Sequence, residues 1–125
     1  MKNLLKTVFA VTATILLIGL IILGLNYYNY NLKLTDLAVV SSDNGEYSLA
    51  FQQIGQPKGA FGIADVRVTL KDINGGILQK FDSEIANDGK ALDRTNWFVQ
   101  WSEDFVTVTL DGEEQEEEKF TINLK

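Results

Sequence analysis

Residues 97–110 read Trp-Phe-Val-Gln-Trp-Ser-Glu-Asp-Phe-Val-Thr-Val-Thr-Leu, and their pattern decides the fold class. Trp97, Val99 and Trp101 alternate with Phe98 and Gln100, and Val106, Val108 and Leu110 alternate with Thr107 and Thr109. Successive strand side chains point to opposite faces, so each half buries one row and wets the other. Ser102-Glu103-Asp104 separates the halves as a turn would. Outward in both directions the period is the same. Tyr47, Leu49 and Phe51 share a face, Val66, Val68 and Leu70 alternate with Arg67, Thr69 and Lys71, and Phe120, Ile122 and Leu124 alternate with Thr121 and Asn123. A weaker strand is expected around Leu78–Asp82.

Between these runs stands turn chemistry. Asp43-Asn44-Gly45, Asn74-Gly75, Asn87-Asp88-Gly89 and Asp111-Gly112 supply the Asx side chains and positive-φ glycines that turns demand. Gln56-Pro57-Lys58-Gly59 reads as loop, and Asp88–Asn96 as a longer loop with one helical turn. The expected fold is all-β, a small antiparallel β-sandwich or curled sheet of about six or seven strands. With no cysteine to staple it, Trp97, Trp101, Tyr47 and Phe51 are expected to dominate the core.

Ahead of this domain, residues 8–25 read VFAVTATILLIGLIILGL, without a charge and with Thr12 and Thr14 as the only polar side chains. As a helix the run covers about 27 Å, close to the hydrocarbon thickness of a bilayer. The residues after it offer no Ala-x-Ala-like cleavage site, and Tyr27, Tyr28 and Tyr30 suit the membrane interface. One uncleaved transmembrane helix is therefore expected. Lys2 and Lys6 precede the span, so the positive-inside rule puts the N-terminus in the cytoplasm and the domain outside the cell membrane. The expected division is a cytoplasmic segment 1–7, a signal anchor 8–28, a linker 29–36 and an extracytoplasmic β domain 37–125.

Charge and missing residue types narrow the chemistry. Of the 125 residues none is cysteine or histidine. That removes thiolate and imidazole nucleophiles and bases, and the usual zinc ligands. Residues 33–125 hold nine basic and seventeen acidic side chains, a balance that repels phosphate backbones, so no nucleic-acid partner is expected. Asp72-x-Asn74-Gly75 and Asn87-Asp88-Gly89 resemble fragments of calcium loops but lack the full ligand spacing, so no metal site and no cofactor are expected. Carboxylate pairing is the one common catalytic device left, with Asp82, Glu84, Asp88 and Asp93 as candidates. Solvated loop acids explain the same residues, and no catalytic residue is assigned. Trp97 and Trp101 share a strand face, as a sugar-stacking platform would require, but with Val99 between them and Gln100 pointing away core packing is the favoured reading.

The most unusual local feature is Asp111-Gly112-Glu113-Glu114-Gln115-Glu116-Glu117-Glu118, a connection carrying five glutamates between two strands. Glu113, Glu114, Glu116, Glu117 and Glu118 form the candidate contact surface for a basic partner, although a solvated loop would look the same.

The stretch Ser42-Asp43-Asn44-Gly45-Glu46-Tyr47-Ser48-Leu49 resembles the Ser-Pro-Asp-Gly-x-Tyr-x-Leu opening of small membrane-anchored proteins of Gram-positive bacteria. The likeness continues through Asn87-Asp88-Gly89-Lys90 and Trp101–Val108, and departs in lacking the proline before Asp43. It implies an N-terminal span and a short β-rich outer domain, and carries over no active site. The expected function is a membrane-tethered extracytoplasmic binding or interaction module. Its partners would be lipid, through the helix, and an envelope or membrane protein. The alternatives are a carboxylate-dependent hydrolase of wall glycan and an accessory subunit of a membrane complex.

Overall fold

The computed structural model describes residues 1–125. A single helix, α1 (Lys2–Asn31), leads into seven strands: β1 (Leu34–Ser41), β2 (Tyr47–Lys58), β3 (Ile63–Asp72), β4 (Ile77–Ala86), β5 (Trp97–Trp101), β6 (Phe105–Leu110) and β7 (Glu118–Asn123). All pairings are antiparallel, in a four-stranded sheet β1-β2-β3-β4 and a three-stranded sheet β5-β6-β7. The expected helix and all-β domain are both present. α1 is long and apolar enough to cross a membrane, and none of its residues is buried against the protein.

The alternating rows named above meet between the two sheets. Leu49, Phe51, Ala64, Val66, Val68, Leu70 and Ile85 of the larger sheet face Trp97, Val106, Val108, Leu110 and Ile122 of the smaller one. Phe51 and Trp97 stack across the interface with ring centroids 4.7 Å apart, and Phe81 and Phe120 close the β4–β7 side at 4.5 Å. Trp101 is half-buried against the same core, and its indole N–H has no hydrogen-bond partner. The tryptophan pair is therefore core and not an exposed platform.

Three local departures from expectation have physical causes. The expected linker 29–36 is nearly absent, since α1 runs to Asn31 and β1 starts at Leu34. The Leu32 and Lys33 N–H groups both donate to the Tyr28 carbonyl, and the Gly55 N–H donates to the Lys33 carbonyl at 2.7 Å, tying helix end to sheet. Strand β1 lacks clean alternation because its register slips between Asp36 and Ala38, so Leu37, Ala38 and Val40 all reach the core. Pro57 lies within β2 instead of a loop, at an irregularity between Ile54 and Lys58 where no ladder N–H is needed.

The domain has two distinct ends. Leu34 pairs with Ile54, so the start of β1, the β2–β3 hairpin and the end of β4 lie beside the helix exit. The Glu114 N–H donates to the Ala86 carbonyl at 2.9 Å, which brings the glutamate-rich connection to this helix end of the domain. The opposite end holds the β1–β2, β3–β4 and β5–β6 turns. There the Tyr47 hydroxyl donates to the Leu124 carbonyl at 3.4 Å.

Candidate functional site

Strand register places charged residues in rows on the outer face of the larger sheet. Gln52, Arg67 and Asp82 lie side by side across β2, β3 and β4, and Ile54, Asp65 and Glu84 form the next row towards α1. Arg67 grips Asp82 with two hydrogen bonds, Nε to Oδ1 at 2.8 Å and Nη2 to Oδ2 at 3.1 Å. These bonds hold the Asp82 carboxyl below its ordinary range and raise the Arg67 guanidinium. Asp65 meets the Lys58 ammonium at 3.3 Å. Glu84 stands directly opposite Asp65 and makes no salt bridge. Like charges facing each other across two strands destabilise a sheet.

Beside this row the connection Gly112–Glu117 folds over the end of β4. The Gln115 Oε1 accepts from the Ala86 N–H at 2.6 Å while the Ala86 carbonyl accepts from Glu114. A side chain added at Gly112 would run into the Ala86 carbonyl, so this close approach needs glycine. The Ser83 hydroxyl donates to Glu118 Oε2 at 3.4 Å, joining the β4 and β7 edges.

Two neighbouring concavities result. Ile54, Asp65, Asp82, Ser83, Glu84 and Glu118 line one of about 540 Å³. Ile63, Glu84, Ala86 and residues 115–118 line a second of about 420 Å³ that shares Glu84 and Glu118 with it. Together they form a groove whose polar wall is largely carboxylate. Of the five glutamates singled out in the sequence, Glu116, Glu117 and Glu118 join it. Glu113 does not, because it accepts from the Lys90 ammonium at 2.7 Å, a bond that raises the lysine above its ordinary value. Glu114 lines neither concavity. Asp65 is not among the sequence candidates, and Asp82 and Glu84 are candidates only as catalytic acids; the register that sets them beside Glu118 has no local sequence signal.

The four acids considered for catalysis divide. Asp82 and Glu84 share the groove, while Asp93 borders a different concavity formed with Asn87, Lys90, Asn96 and Asp111. Asp93 caps the 3₁₀ turn Arg94–Asn96, accepting from the Thr95 N–H and hydroxyl. Those bonds lower its carboxyl, as Arg67 lowers that of Asp82. A glycosidase's general acid needs the opposite shift. Asp88 occupies a turn at φ 53°. In the other calcium-like fragment, Asp72 Oδ1 accepts from the Asn74 and Gly76 N–H groups, so that carboxylate closes a turn. No three acidic side chains are arranged to hold a metal ion.

No protein-family model, curated protein or solved structure matches the chain. Within a Debye length of about 8 Å the groove's carboxylates reinforce one another, and lysine- or arginine-rich segments are drawn to such a field.

Proposed function

We propose that this chain is a membrane-tethered extracytoplasmic interaction module that receives a basic segment of another envelope or membrane protein in its acidic groove. One observation carries the reading. Glu84 faces Asp65 across the β3–β4 ladder and, with Glu118, is shared by two neighbouring concavities, the second of which Glu116 and Glu117 also line. Lys58 compensates Asp65 but no cation of the chain pairs with Glu84, which a cationic partner would do. Tethering rests on α1, whose apolar run follows Lys2 and Lys6 and precedes Tyr27, Tyr28 and Tyr30. An uncleaved anchor with the domain outside the cell membrane accounts for that order. Membership in the small anchored proteins of Gram-positive bacteria belongs to the same proposal and rests on the Ser42–Leu49 opening.

Chemical crosslinking in intact native membranes, followed by mass spectrometry, tests the reading. The combined Glu84→Gln, Glu116→Gln and Glu117→Gln variant should lose a reproducible partner that the unaltered chain captures. Capture of the same partner at the same yield by both would contradict a role for the groove.

A further inference from the structure

The β2–β3 hairpin departs from the rest of the domain in one respect: its tip points an apolar ring at nothing. Gly59-Ala60-Phe61-Gly62 forms the turn, closed by the Gly62 N–H donating to the Gly59 carbonyl at 3.3 Å, and Phe61 is 62% exposed. The hairpin tracks back along α1. Gly55 bonds Lys33, and three residues further on the Lys58 ammonium lies over the Tyr30 ring, 5.8 Å from its centroid. Gly55 takes φ 66°, and a side chain there would strike the Tyr30 carbonyl, so the two backbones are in direct contact. Gly62 meets Gly89 just as closely, which braces the tip from the other side.

Direction and distance then place the tip. Beyond Lys58 the chain turns at once through Gly59–Gly62, so the tip lies close to the end of β2. The helix between Tyr30 and Leu25, where the apolar run ends, covers about 7.5 Å. Phe61 thus lies at the tip of the hairpin whose Gly55 and Lys58 contact Tyr30, in the end of α1 that also carries Tyr27 and Tyr28.

We propose that Phe61 is a second membrane contact, inserting into the headgroup and upper acyl region of the same bilayer that α1 crosses. The inference rests on the anchoring reading above. Continuity with α1 identifies the occupant as lipid, since the hairpin that carries the ring contacts the helix at its exit. Two contacts fix the domain's tilt, so the acidic groove is presented at a constant height and angle above the membrane.

The chain has no cysteine, so single labels are unambiguous. Full-length protein carrying an environment-sensitive fluorophore at Ala60→Cys, Ile21→Cys or Asn74→Cys is placed in phosphatidylcholine–phosphatidylglycerol vesicles with lipid spin-labelled near the headgroup. Quenching should be strong at positions 21 and 60 and absent at 74. Adding Phe61→Ser to Ala60→Cys should at least halve the quenching, while Phe61→Trp should preserve it. Strong quenching at 21 with position 60 no different from 74 would overturn the second contact and leave the anchor standing, as would a Phe61→Ser variant quenched as fully as the parent. No quenching at 21 would overturn the anchor and this inference together.

Discussion

Asn96 shows how a single polar side chain holds the helix end of the domain together. It is 3% exposed, its Nδ2 donates to the Asp111 carbonyl at 3.0 Å, and its Oδ1 accepts from the Asp93 N–H at 2.9 Å. Its backbone carbonyl also accepts from the Asp111 N–H. Asn96→Ala keeps the backbone bond but strands buried polar groups, which costs about 1–3 kcal/mol. A lowered urea midpoint with an unchanged slope would report it. Asp82 makes a different prediction. Arg67 holds its folded pKa below the unfolded value, so its stabilisation is present above the unfolded pKa and lost as pH falls through the folded one. Because the Asp82 side chain is 52% exposed, the effect is less than about 1 kcal/mol. The urea-midpoint gap between the parent chain and Asp82→Asn should narrow from pH 7 towards pH 3. A gap constant across that range would remove the ion pair's contribution. Neither role was legible beforehand, since Asn96 reads as a loop residue until its loop is seen against β6.

At the scale of elements, β5 separates two tryptophans that look equivalent in sequence. Trp97 is stacked on Phe51, whereas Trp101 is half-buried and leaves its indole N–H unpaired. Trp97→Ala should cost about 3–5 kcal/mol as a large aromatic leaves the core. Trp101→Phe removes an unsatisfied donor along with some contact, and should cost clearly less than Trp97→Phe when both are followed by circular dichroism in urea. Equal losses would mean the two rings share one environment. Alternation made β2, β3, β5, β6 and β7 readable, because the first four each carry at least three core residues two apart and β7 carries Phe120 and Ile122 with Leu124 just past its end. β1 escaped because its bulge breaks that period, and the end of β2 escaped because Pro57 masquerades as loop. The glutamate-rich connection was legible as acidic. Its division into Glu113, taken by Lys90, and Glu116–Glu118, given to the groove, depends on pairings no local pattern encodes.

For the whole molecule, the separation into an apolar helix and an acidic β domain is written in composition and survives intact. What composition does not convey is that helix and domain meet almost without a linker. Gly55 is the joint. With φ 66° and the Tyr30 carbonyl against it, Gly55→Ala strains both backbones. Amide exchange at Lys33 and Gly55 should quicken in that variant while exchange in β6 stays slow, and unchanged protection at Gly55 would show that the joint tolerates a side chain. Under the proposed function this joint would hold the glutamate groove beside the membrane, where a juxtamembrane basic segment of a partner would be found. The most direct measurement is site-specific photocrosslinking in native membranes. A photoreactive residue is placed at Ser83 or Glu117 within the groove, and at Gln100 or Thr121 on the outer face of the smaller sheet. The account predicts one partner, captured through a lysine- or arginine-rich peptide, from the groove positions alone. Equal capture from both faces, or capture only from the smaller sheet, would contradict it.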